Sequence, residues 1–131
     1  MNKEELKSRT KKFALRVISL VEALPKTIPG RAIGNQLVRC GTGVGANYRA
    51  SCRARSRAEF IAKIGVVEEE ADESAFWMEL IIESSLLPAP KVHSLLKEAN
   101  ELVAIMAASR ISAKRNAPTN RKSEIGNRKY E

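Results

Sequence analysis

The sequence predicts an all-α protein: an antiparallel up-and-down four-helix bundle over residues 1–114, with a disordered basic C-terminal tail over residues 115–131. Three observations carry that prediction. Four separate stretches repeat apolar residues at spacings of three and four, the period of one helical face. The stretches are joined by short connections, which fold successive helices back on one another. Aromatic residues make up only 5% of the chain while Leu, Ile, Val and Ala are plentiful, a balance that suits helices better than sheet.

The first stretch runs from about Lys3 to Leu24, with Leu6, Thr10, Phe13, Val17, Leu20 or Val21, and Leu24 on one stripe. "LPKTIPG" should end it, because Pro25 and Pro29 cannot continue a helix and Gly30 suits a turn. The second runs from about Arg31 to Arg55, on the stripe Ile33, Leu37, Gly41, Val44, Tyr48 and Cys52. Ser56 followed by Glu59 reads as a capping box that starts the third helix with almost no loop. That helix runs from about Arg57 to Leu86 on Phe60, Ile64, Val67, Ala71, Ala75, Met78 and Ile82, and "LPAP" should stop it. The fourth runs from about Lys91 to Lys114 with Val92, Leu95, Ala99, Leu102, Met106 and Ala113 inward. From Arg115 the period fails, and the polar segment lacks the apolar residues that would offset the entropy of ordering it.

"RCGTGVGANYR" places three glycines in five positions and raises the question of a phosphate loop. A Walker loop ends in Gly-Lys-Ser/Thr, and no such lysine is present; a dinucleotide fingerprint follows a strand, whereas "AIGNQLVRC" continues a helical stripe. The helical alternative has a physical use for the glycines. Gly41 and Gly45 lie four apart on one face, where the missing side chains allow a neighbouring helix to come close. That packing has to offset about 1 kcal/mol per glycine in helix propensity.

The formal net charge is +8, but it changes sign along the chain. Residues 1–63 hold 14 Lys/Arg against 4 Asp/Glu, residues 64–105 hold 2 against 9, and residues 106–131 hold 7 against 2. A basic balance favours anionic partners, nucleic acid first. Arg49, Arg53, Arg55 and Arg57 form a dense group, with Arg39 and Arg31 further along the same helix. These arginines are the candidate phosphate contacts. Two plainer uses compete with that one: cations near a helix C-terminus favour the macrodipole, and the acidic third helix offers partners. The tail residues Arg121, Lys122, Arg128 and Lys129 form a candidate electrostatic arm or a solubilising terminus.

Other chemistry is poorly supported. "EEEADE" lacks the Glu-x-x-His repeats of di-iron bundles, so Glu69 and Glu73 are expected to be solvated or ion-paired, and Glu70 to meet an arginine of helix two. His93 is the single histidine, too few for a three-ligand zinc site or a triad. Cys40 and Cys52, about 18 Å apart along one helix, cannot bridge within it. Trp77 reads as a packing anchor at a helix or subunit contact. No enzyme, cofactor or metal is therefore expected. "MNKEELKSRTKK" has no apolar signal region and no run nears the roughly 18 residues of a membrane span, so the expected location is cytoplasmic, away from membranes.

The stretch "NQLVRCGTGVGANYRASCRARSRAEFIAKIGVVEEEADESAFWMELI" resembles the bacterial family of 23S rRNA intervening-sequence proteins. Gln36, Arg39, Gly41, Val44, Asn47, Tyr48, Ser56, Phe60, Glu70, Glu73 and Trp77 sit where the family pattern places such residues, while Gly43 replaces a usual serine. The resemblance implies a four-helix bundle assembled as a ring-like homopentamer, with no catalytic residues carried over. It extends to the accessory protein of diversity-generating retroelements, a basic pentamer that binds a reverse transcriptase and nucleic acid. The leading expectation is a non-enzymatic, oligomeric bundle binding nucleic acid, RNA before DNA, through Arg39, Arg49, Arg53, Arg55 and Arg57. The alternative is an adaptor that docks a partner enzyme such as a reverse transcriptase.

Overall fold

A computed structural model describes residues 1–116 of the 131-residue chain. Among them are helices α1 (Lys3–Glu22), α2 (Ile28–Ser51), α3 (Arg57–Glu83) and α4 (His93–Arg115), with one 3-10 turn at Ala89–Lys91. The tail expected over 115–131 lies outside the described residues, apart from Arg115, which extends α4, and its cap Asn116.

Cross-helix contacts give the topology. Gly34 faces Val21 and Leu24, Gly41 faces Val17, and Gly45 faces Thr10, so α2 runs antiparallel to α1. Ser74 reaches back to Cys40 while Gly43 meets Glu70, which sets α3 antiparallel to α2. Arg110 pairs with Glu68, and Arg57 donates to the Ala113 carbonyl, which sets α4 antiparallel to α3. The helices follow one another around the bundle, and the α1–α4 seam that closes it is the thinnest. A forked ion pair bridges that seam: Arg9 Nε and Nη2 donate to Glu98 at 2.6 and 2.8 Å, and Nη2 also donates to Glu101 at 2.7 Å.

Most of the predicted stripe residues form the core, while Ile33, Cys52 and Phe60 pack against it only partly buried. Phe13, Val17, Leu37, Val44, Ile64, Val67, Met78, Leu102 and Met106 are essentially inaccessible to solvent. Near the end of α3 the expected Ile82 is only half-buried and Ile81 takes the core position. A straight helix drifts relative to a fixed apolar repeat over its 27 residues, and the inward register has moved by one position. Ala113 is likewise only partly buried, at the bundle's rim.

The boundaries are set by caps, some of which the sequence reading missed. Asn2 and Glu5 make a reciprocal capping box at the start of α1. α2 begins at Ile28, three residues earlier than expected. Thr27 caps it and Pro29 sits in the first turn, where a missing N–H costs nothing. Gly30 is therefore helical rather than a turn residue. Its use is close approach, because a Cβ there would lie 2.1 Å from the Pro25 carbonyl oxygen. At the start of α3 the Ser56 half of the expected box forms, but Glu59 reaches past it to accept from the Arg55 N–H at 2.9 Å. The C-terminus of α3 is a Schellman motif: Leu86 N–H donates to Ile81 and Ser85 N–H to Ile82, with Ser85 left-handed at φ 60°. That motif, rather than "LPAP", stops the helix at Glu83.

Candidate nucleic-acid interface

In an up-and-down bundle, the N-termini of α1 and α3 and the C-termini of α2 and α4 share one end. Arg49 lies in the last turn of α2, Arg53 and Arg55 in the corner, and Arg57 in the first turn of α3. These four meet at that shared end. Arg39 stands apart, about 15 Å up α2, and Arg31 begins the opposite end.

Arg49, Arg53 and Arg55 are exposed. Among the described residues none of the three side chains has an acidic group within ion-pair distance. Of the cross-helix ion pairs, the acidic third helix contributes Glu68, and it pairs with Arg110 of α4. Among the described residues, α3 thus supplies no ion-pair partner to Arg49, Arg53 or Arg55. The macrodipole use remains for Arg49. Arg57 has a structural contact as well, its Nη1 donating to the Ala113 carbonyl at 3.0 Å and tying α3 to the end of α4. Arg39 is exposed and donates to Gln36 at 3.2 Å on its own helix.

A cleft of about 450 Å³ opens at this end, lined by Lys3, Cys52, Arg55, Ser56, Arg57 and Phe60 among others. Lys3 comes from the start of α1, while Lys114 and Arg115 follow Ala113 at the end of α4. The chain-order reading missed these three cations. The signal was present: adding charge by bundle end, instead of along the chain, collects them once the up-and-down topology is assumed.

The sequence profile described as "23S rRNA-intervening sequence protein" matches residues 3–108, which span all four helices up to the last two turns of α4. The chain belongs to this family. It is also similar to a crystal structure from Bacteroides thetaiotaomicron VPI-5482, described as a protein of unknown function from the S23 ribosomal protein family. The two share 28% identity and a TM-score of 0.73, over 80% of this chain and 97% of that one. No curated protein is significantly similar. Nothing in the family description or in this neighbour indicates an enzyme.

The remaining candidates of this intervening-sequence family member fall into place around that frame. "GTGVG" lies inside the unbroken α2 and forms no phosphate loop. His93 is exposed at the first turn of α4. Cys40 is buried and Cys52 half-buried, both free thiols. Trp77 packs edge-on against Phe76, with ring centroids 5.0 Å apart, and donates to Glu73 Oε2 at 3.1 Å. Glu70 lies against Gly43 on α2, and burial, then Glu73, push its carboxyl above the usual range. The charge of Arg39 acts in the opposite direction, so the expected arginine is nearby without forming an ion pair. Among the described residues, no helix is long and apolar enough to cross a membrane.

Proposed function

We propose that this protein is a non-enzymatic, oligomeric bundle that binds nucleic acid, RNA in preference to DNA, through its basic end. The observation that carries the reading is the exposed group Arg49, Arg53 and Arg55, left without acidic partners among the described residues. Arg57 and Lys3 extend the surface into the cleft, and Arg39 supplies a more distant contact. Guanidinium groups suit phosphate because they are planar, permanently charged and donate in pairs. Base selectivity should be low, since among the described residues the corner has no aromatic platform for stacking beyond the half-buried Phe60.

The test is binding of a generic structured RNA as a function of salt. Each phosphate contact contributes roughly 0.7–0.9 to the slope of log K against log salt. Replacing Arg49 and Arg53 together by Ala is expected to weaken binding and to flatten the slope by roughly 1.5. An unchanged slope would sink the assignment. Absence of binding even at low salt would favour the adaptor reading, in which the bundle surface docks a partner enzyme and the charges only set its orientation.

The oligomer we propose is head-to-tail. Val66, Glu69, Asp72, Phe76, Glu79 and Glu83 line up on the exposed side of α3, with Phe76 49% exposed. Between α1 and α4 runs a groove of about 490 Å³, floored by Leu20 and Leu95 and edged by Leu15, Lys12, Arg16 and Lys91. Leu15 is 58% exposed there. The acidic face with its aromatic side chain complements the basic groove of a second copy. Two different surfaces meeting in this way propagate into rings when the rotation closes, and a ring of five is what the family resemblance implies. Sedimentation should show an oligomer in the wild type and a monomer after Phe76→Glu. A wild type that sediments as a monomer at micromolar concentrations would reject this interface.

A further inference from the structure

We propose that Cys40, Glu70 and Glu73 form a divalent-cation site, zinc-like in preference, that clasps α2 to α3. This goes beyond the proposed function and involves none of the residues of the basic corner.

The three side chains converge from two helices. Cys40 is fully buried on α2, and Glu70 and Glu73, three apart on one face of α3, are partly buried. One ligand atom from each lies within 4.8 Å of the other two. A cation held among them would draw these atoms in to the 2.0–2.3 Å bond lengths of zinc with oxygen and sulfur. A second observation points to a ligand. Oε1 of Glu70 is shut off from solvent and has no hydrogen-bond partner among the described residues. A buried carboxylate oxygen with no donor is costly, and a cation is one of the few groups that satisfies it.

Local sequence explains why Glu70 can lie there. Gly43 faces its carboxyl group, and a Cβ at that position would come within 3.2 Å of Cδ and 3.3 Å of Oε1. The glycine thus leaves room for the carboxylate against α2, beside Cys40. The outer contacts are those a metal site uses to orient its ligands. Ser74 Oγ, 2.8 Å from the Glu70 carbonyl oxygen it can donate to, also lies 3.2 Å from Cys40 Sγ, and Trp77 Nε1 donates to Glu73 Oε2 at 3.1 Å.

The donor set selects the metal. One thiolate with two carboxylates suits a borderline cation such as Zn²⁺ or Co²⁺, whereas Mg²⁺ and Ca²⁺ take oxygen ligands alone. Three protein ligands leave a fourth position for water. Binding releases the thiol proton, and the Glu70 proton where it is held, to solvent. The dication then faces three anionic ligands, and the nearby Arg39 offsets the remaining negative charge.

The experiment titrates Co²⁺ into the full chain after chelation and removal of the chelator. The expected result is a thiolate-to-cobalt charge-transfer band that saturates at one equivalent, is abolished by Zn²⁺ and is indifferent to Mg²⁺. Cys40→Ser and Glu70→Gln should each lose the band while circular dichroism shows helix content unchanged. Glu70→Gln, the substitution milder for the core, decides the matter if Cys40→Ser fails to fold. Ser74→Ala should weaken binding about tenfold, and Cys52→Ser should leave the band intact. No band at one equivalent overturns the proposal, as does a band that survives Glu70→Gln or disappears with Cys52→Ser.

Discussion

Gly41→Ala is expected to destabilise the bundle, although alanine is the better helix former. The added Cβ would lie 2.7 and 2.8 Å from the two methyl groups of Val17 and 3.0 Å from its Cβ. Valine in a helix has essentially one χ1 rotamer, so Val17 cannot swing aside, and α1 and α2 have to separate. Overpacking of this kind costs about 1–3 kcal/mol, set against a propensity gain of roughly 1 kcal/mol. With a stiff neighbour the net loss should be about 1–2 kcal/mol. Two companion variants make the cause visible in urea denaturation. Gly65→Ala meets only the Arg110 Cδ at 4.0 Å, and should stabilise by about 0.4–1 kcal/mol. In a Gly41→Ala, Val17→Ala double mutant the losses should be less than additive, because the second change removes the atoms with which the first collides. Strict additivity would mean that the close approach of the two helices is not what constrains position 41.

Phe13→Ala should produce the largest loss of stability, about 3–5 kcal/mol. Phe13 is 1% exposed and heads the fully buried side chains by volume. Its removal loses the transfer free energy of an aromatic ring and leaves a cavity. Four interlocked helices, bound to one another along their length, can close that cavity only partly. A small domain has about 5–15 kcal/mol in total, so the variant should sit near the limit of stable folding. The urea midpoint should fall with the m-value unchanged. Ile28→Ala provides the contrast: at 82% exposure the side chain buries little, and the change should stay within about 0.5 kcal/mol. A Phe13→Ala loss below about 1 kcal/mol would mean that the α1 stripe does not enclose the core as described.

Much of this molecule is legible from residue spacing. Leu6, Thr10, Phe13 and Val17 announce the inner face of α1, and Ser56 with Glu59 announces the start of α3, because helical period and capping depend on neighbours within about one turn. The errors fell where a distant or subtle contact decides. Gly30 looked like a turn residue, but its role is set by the Pro25 carbonyl pressed against it. Ile81 displaced Ile82 because register drift accumulates over a long helix and only the packed partner reveals which side faces inward. Ser85 ends α3 in a left-handed conformation usually given to glycine, so the stop had no compositional signature.

The candidate site divides along the same line. The run of arginines from 49 to 57 is plain in the sequence, and so is the acidic character of the following helix. Whether the two neutralise each other is not, since charge pairing falls off over a few ångströms and depends on which helix faces confront one another. The packing directs Glu68 to Arg110, leaves Arg49, Arg53 and Arg55 facing solvent, and gathers Lys3, Lys114 and Arg115 to the same end. By itself, then, the sequence determined the helices, their order and their inner faces, all properties of short-range period and connection length. Only the tertiary structure decided which charges stay available and which side chains, Cys40 with Glu70 and Glu73 among them, come together, because residues thirty or more positions apart are joined solely by the way the helices pack.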